Sequence, residues 1–216
     1  QLKGSLDKVI QSASSGEADI LVGTQMLSKG HHFPSLKLVG IVNADQGLFG
    51  TDFRCGERMA QSIIQVAGRA GRTGSAGKVL IQTAFPENNF WQTLFNGGYK
   101  KIAEIGLVER KNTHWPPFTH LALIRSSAFQ YSDAYSFLNK LKNSLNENKN
   151  SRLKILGPVE APMARKAGRY RAQLLLQSID RQTLHHSLDT IRLKMESDAL
   201  SRKTRWSIDV DPIELL

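Results

Sequence analysis

Two arginines three residues apart, Arg69 and Arg72, stand in the stretch QVAGRAGR at 65–72, each directly preceded by a glycine or by the alanine-glycine pair that leads to it. Both are permanently cationic, and the glycines leave room for a ligand to approach closely. Gln65 adds an amide on the preceding turn. A helix end carrying this set suits a nucleotide phosphate. The amide orients the group, and the guanidinium groups supply delocalised charge where negative charge builds during γ-phosphoryl transfer. The plainer reading is a basic helix end whose arginines complement the helix dipole.

Upstream, VGTQMLSKGHHF at 22–33 follows an apolar run, in the place where open α/β sheets carry their ligand loops. Thr24 and the amides beside it, at Gly23 and Gln25, suit a phosphate oxygen, and Lys29 adds charge. The adjacent pair His31 and His32 is not read as a metal site. Neighbouring side chains in extended chain point to opposite faces, and no cysteine is near. Cys55 is the only cysteine, so an intrachain disulfide is impossible and an inert thiol is expected.

A third constellation lies near the middle of the C-terminal half. Arg165, Lys166, Arg169 and Arg171 surround Gly168, with Tyr170 interleaved. Cations for phosphates beside an aromatic face for a base suit branched or single-stranded DNA, while the alternative is a solvated hairpin that only aids solubility. Arg181 and His185, spaced i and i+4, share a helix face and offer a cationic seat. Trp115, Phe118 and Trp206 are read as core or domain-interface residues.

The elements that must position these groups fall into two series. A short amphipathic helix is expected over 5–15, then apolar strands at 19–24 and 36–44, suited to burial on both faces of a parallel sheet. A helix over 56–69 runs into the glycine-rich loop, and a strand follows at 78–84. A further helical stretch, 88–111, is broken at Gly97-Gly98 and stops before Pro116-Pro117. Beyond it come a strand at 120–127, a helix at 133–145, strands at 153–162 and 169–178, a helix at 181–195 and a strand at 204–212. That order, βαββαβ, is the split arrangement of ferredoxin-like domains. The expected domains are 1–111 and 112–216.

With these motifs in order, ILVGTQMLSKGHHFP followed by DFRCGERMAQSIIQVAGRAGR resembles motifs V and VI of the superfamily 2 helicases, and among them the primosomal replication-restart DNA helicases. GPVEAPMARKAGRYRAQLLLQ and the ending DVDPIELL resemble the C-terminal domain of the same family. The resemblance implies an α/β fold: part of a RecA-like second helicase lobe, then the ferredoxin-like domain. It implies a 3′ to 5′ ATP-dependent DNA helicase that restarts stalled forks and loads the primosome, with ATP and Mg²⁺ as cofactors. By position, Gln65, Arg69 and Arg72 match the motif facing ATP, with Arg72 as the arginine finger. Gly23, Thr24 and Gln25 match the segment on the backbone of the tracked strand. Lys29 and Gly30 link the DNA and nucleotide sites, and His32, where many relatives carry Asp, falls on the nucleotide side. Implied partners are forked or single-stranded DNA, other primosome proteins, and single-stranded DNA-binding protein, whose acidic tail is matched to Arg181 and His185. The phosphate-binding loop, the acidic magnesium motif and a zinc-binding insertion holding Zn²⁺ are expected to precede Gln1, so this stretch alone is expected not to hydrolyse ATP. The rival reading is a non-catalytic DNA- or protein-binding module.

Composition agrees with an anionic partner. Lys and Arg number 29 against 19 Asp and Glu, a net charge of +10. From residue 112 onward there are 16 Lys and Arg and 10 Asp and Glu. No apolar run is long enough to span a bilayer and no signal-peptide layout opens the chain, so no membrane role and a cytoplasmic setting are expected.

Overall fold

A computed structural model describes residues 2–24, 33, 36–50, 52–68, 77–147 and 150–215. The chain divides into two compact units, residues 1–108 and 109–216.

In the first unit, helix α1 (Leu2–Ser15) precedes strand β1 (Leu38–Ile41), the short helix α2 (Asp45–Leu48), helix α3 (Cys55–Ala67), strand β2 (Lys78–Ile81) and the start of helix α4 (Asn89–Thr113). Strands β1 and β2 pair in parallel, Leu38 opposite Lys78 and Ile41 opposite Ile81. Helix α3 turns Met59, Ala60 and Ile63 inward at helical spacing, where they meet Ala44, Trp91, Leu94 and Ile102. The chain leaving β1 is tied to the chain leaving β2: the Asp45 carboxylate accepts from the Thr83 hydroxyl and from the Ala84 amide at 2.8 Å. The expected break in α4 falls at Gly98, whose φ of 63° and ψ of −166° leave the helical region at little cost only because glycine has no Cβ.

Two expectations are corrected in this unit. The apolar run 19–24 forms no strand; Ile20 and Val22 are 82% and 88% exposed. Strands β1 and β2 are shorter than expected, and β1 is not buried on both faces as expected, since it alternates exposed with half-buried residues, as β2 does. Burial in a parallel sheet requires flanking strands to take up the backbone groups, and among the described residues this sheet has two strands.

The second unit contains strand β3 (His120–Ala128), helix α5 (Tyr131–Glu147), strand β4 (Leu153–Lys166), strand β5 (Arg169–Ser178), helix α6 (Arg181–Ser197) and strand β6 (Arg205–Val210). The sheet order is β4-β5-β3-β6, every pair antiparallel. Ala122 and Ile124 of β3 and Leu174 and Leu176 of β5 share one face by period-two alternation. They pack on Phe137, Leu138 and Leu141 of α5 and Leu184, Ile191 and Met195 of α6. Helix α6 is capped by Asp180, whose carboxylate accepts from the Thr183 amide at 2.7 Å and its hydroxyl at 3.0 Å. Those bonds hold the Asp180 carboxyl below its ordinary pKa. Strand β4 runs four residues beyond its expected end, to Lys166.

Candidate nucleic-acid interface

The prolonged β4 and the start of β5 form a hairpin closed by the two residues Ala167 and Gly168. Both carry positive φ, 49° and 76°, the left-handed pair that a tight two-residue turn between twisted strands requires. Lys166 stands opposite Arg169, and Arg165 opposite Tyr170. The turn thus brings the four predicted cations to one end of the sheet. Arg165 and Lys166 are exposed, and Arg169 and Arg171 are half-buried. Below the tip the register slips between Glu160 and Arg165, an irregularity that bends β4 and leaves Met163 53% exposed.

Aromatic rings flank these cations. The Arg165 guanidinium lies over its cross-strand partner Tyr170, 5.0 Å from the ring centre, and that of Arg169 lies 4.0 Å over Phe129. Arg169 also donates to the Ser127 carbonyl at 3.4 Å, and Arg171 to the Met163 carbonyl at 3.4 Å. Tyr131 meets Tyr170 edge-on at 6.0 Å and stacks on Tyr135 at 5.8 Å. Tyr135 is anchored through its hydroxyl, which donates to the Pro158 carbonyl at 2.9 Å. Partial removal from water, and then the nearby Glu160 carboxylate, push the Tyr131 hydroxyl above its ordinary pKa. The result is a cationic rim with π faces held beside it, which suits phosphates and bases together.

Phe129 and Tyr131 escape the sequence reading. Phe129 lies between β3 and α5 and Tyr131 is the first residue of α5, both past the last residue of the alternating strand. A large aromatic residue just outside a completed alternation is the signal that marks them. Of the residues read as core or domain-interface, Trp206 packs against the core and Phe118 keeps 40% of its surface exposed.

Gly23 and Thr24 lie in exposed chain, and Gln65 is exposed on the last turn of α3. Gln25, Lys29, Gly30, His32, Arg69 and Arg72 lie outside the described residues. Helix α3 itself is seated at its start by Asp52. Its buried carboxylate receives the Arg54 amide at 2.9 Å and Arg54 Nε at 3.1 Å, with Arg58 at 3.7 Å. Burial works to raise the Asp52 pKa, but the bonds from Arg54 and the charges of Arg54 and Arg58 outweigh it, so the group sits below the usual carboxylate value.

Arg181 and His185 are both exposed at the start of α6, as their spacing requires. Arg181 is paired with Asp211 at 3.0 Å, and the leucines beside it, Leu184 and Leu188, are taken by the core. Among the described residues no group of three or more His, Cys, Asp and Glu is placed to hold a metal. No described helix is long and apolar enough to cross a membrane.

Comparison with known proteins covers both units. Residues 111–213 match the family described as primosomal protein N C-terminal domain, and residues 3–74 match the helicase conserved C-terminal domain. The replication restart protein PriA of Haemophilus influenzae is 42% identical over 214 residues, which cover 99% of this chain and 29% of that protein. The PriA of Bacillus subtilis is 34% identical over 214 residues, covering 99% of this chain and 27% of that protein. The PriA of Rickettsia typhi is 35% identical over 196 residues, 91% of this chain and 29% of that protein. The chain thus spans less than a third of the length of these relatives.

Proposed function

We propose that this chain, which matches the C-terminal region of the replication restart proteins PriA, supplies the nucleotide-sensing and DNA-holding end of an ATP-dependent 3′ to 5′ DNA helicase. The observation that carries the DNA reading is the β4–β5 hairpin, where four cations share one tip with aromatic faces beside them. The parallel β1–β2 pair and the match to the helicase conserved C-terminal domain support reading the first unit as part of a RecA-like second lobe. The antiparallel order β4-β5-β3-β6 supports reading the second as ferredoxin-like.

In this reading ATP with Mg²⁺ supplies the free energy of movement through phosphoryl transfer. Gln65, open to solvent at the end of α3, is accessible to a nucleotide, and Arg69 and Arg72 follow it in sequence. Arg72 places its charge on the γ-phosphoryl group as negative charge builds there, and Arg69 and Gln65 orient it. Gly30 and His32 belong to the nucleotide side, and Gly23, Thr24, Gln25 and Lys29 to the tracked strand. Zinc is assigned to the insertion that the resemblance implies in the parent protein, and the single cysteine of this stretch, Cys55, offers no thiolate set for it. The protein acts in the cytoplasm at abandoned forks, together with other primosome proteins. Arg181 and His185 are offered to the acidic tail of single-stranded DNA-binding protein, with Asp211 as the carboxylate that the tail displaces.

Strand displacement by the complete protein tests this reading. ATP-dependent release from a duplex with a 3′ tail, and none from one with a 5′ tail, is expected. Binding without displacement on either substrate would replace the motor by a non-catalytic DNA-binding module.

A further inference from the structure

The rings beside the hairpin have surface that its cations do not use. Phe129 is 65% exposed although the Arg169 guanidinium lies 4.0 Å over its ring. One face is therefore occupied by a cation and the other is open. The guanidinium is itself held by its bond to the Ser127 carbonyl, so the ring is backed by a fixed charge. Tyr131 is 44% exposed and rests on Tyr135, whose hydroxyl is tethered to the Pro158 carbonyl. Large rings left in water lose the free energy of burial unless something covers them. Here each is supported from behind and open in front.

We infer that Phe129 and Tyr131 are stacking seats for unpaired bases of single-stranded DNA, placed beside the Arg165, Lys166, Arg169 and Arg171 cations that hold its phosphates. The inference rests on the hairpin being the DNA-holding surface. Every base has a π face, so stacking is tolerant of sequence, and in a duplex both faces of each base are already covered. A cation behind a ring adds to the attraction of a base in front through the same quadrupole that binds the cation. The charge balance favours a polyanion as occupant: four cations crowd the tip, and Glu160 is the carboxylate that faces Tyr131. The hairpin would then hold any DNA by its phosphates and hold single strands more tightly by their bases.

The test uses the full chain and three probes of equal length: oligothymidine, its abasic counterpart and a blunt duplex. The wild type is expected to bind oligothymidine more tightly than the abasic strand. The F129L/Y131L variant should lose on the order of tenfold or more for oligothymidine and bind it no better than the abasic strand, with affinities for the abasic strand and the duplex unchanged. In the same series, changing the four cations to Ala should weaken all three probes. If the cation variant loses nothing, the hairpin reading falls and this inference with it. If the cation variant loses affinity but F129L/Y131L does not, or loses equally on all probes, only the stacking inference is overturned. Phe129→Trp gives an independent readout, comparing the wild type and the variant with and without saturating oligothymidine. Quenching of the added indole emission is expected from stacking, and unchanged emission would contradict it.

Discussion

In residues 109–216 a four-stranded sheet pairs strands of six to fourteen residues and buries Phe137, Ile124, Leu174 and Ile191 almost completely. In residues 1–108 two strands of four residues pair, and Ile20, Val22, Val42 and Leu80 stay more than 60% exposed. Apolar groups are abundant in both. What differs is how many backbone partners each strand finds among the described residues, and hence whether its side chains have a second layer to face. The closed unit can present a shaped surface, the cationic hairpin, on a fixed scaffold. The open unit carries Gln65 exposed on the last turn of α3, a helix that packs on Ala44, Trp91, Leu94 and Ile102, and the proposal directs that residue and the arginines following it in sequence to a nucleotide phosphate. We therefore expect alterations in the QVAGRAGR stretch to act on chemistry and those in the second unit on stability and DNA affinity.

The largest separation is expected in the complete enzyme. Arg72→Ala should lower ATP turnover by about 10³-fold with little change in ATP affinity, because a finger acts mainly on the transition state. Turnover kept within about threefold would move the role to Arg69 or remove it from this motif. Changes to the hairpin should leave turnover at saturating DNA nearly intact.

Stability should divide the units in the opposite sense. Phe137→Ala in the closed core should cost about 3–5 kcal/mol in urea unfolding. Val22→Ala should change stability by less than about 0.5 kcal/mol, since its side chain has little burial to lose. Equal losses would mean that the exposed run is covered in solution.

Within the first unit Asp52 ties Arg54 and Arg58 to the start of α3. Asp52→Asn should cost about 1–3 kcal/mol at neutral pH, through the weakened bonds from Arg54. The folded carboxyl sits below its unfolded value of 3.8, so the stability it adds is fully present above that pH and is lost as pH falls through the folded value. Unfolding curves of wild type and variant should therefore converge in strong acid, and a constant gap would exclude an ionic origin.

The smallest effect concerns Arg181. Its pair with Asp211 is exposed, so Arg181→Ala should alter stability by less than about 1 kcal/mol. Calorimetry with an acidic, hydrophobic-ended peptide should show a loss of about three- to fivefold, with naked DNA binding unchanged. Equal losses in both would assign Arg181 to the DNA surface.

These contrasts also mark what the sequence makes legible. The hairpin around Gly168 and the break at Gly97-Gly98 depend on neighbours within a few residues, and both are readable from them. The two-residue turn itself is not, since the expected strand end at 162 leaves six residues before Arg169; the extension of β4 to Lys166 is what brings Arg165, Lys166, Arg169 and Arg171 to one end. The run at 19–24 misleads because its apolar residues report a preference for burial and not the presence of strands to provide it. Phe129 and Tyr131 are missed because an aromatic residue carries the same preference whether it is seated inside or left at an edge. The tie between Arg181 and Asp211 spans 30 residues of chain and depends on β6 returning beside β3, which no local pattern encodes.

The central claim is that the hairpin is where this chain holds DNA through its phosphates, and the salt dependence of binding tests it most directly. Fluorescence anisotropy of duplex DNA with the full chain, at several salt concentrations, gives the slope of log affinity against log salt. Changing Arg165, Lys166, Arg169 and Arg171 together to Ala should flatten that slope by about 3 to 4, because each cation removed leaves one phosphate with its counterion. A slope unchanged by the four substitutions would contradict the claim and leave the hairpin a solvated turn.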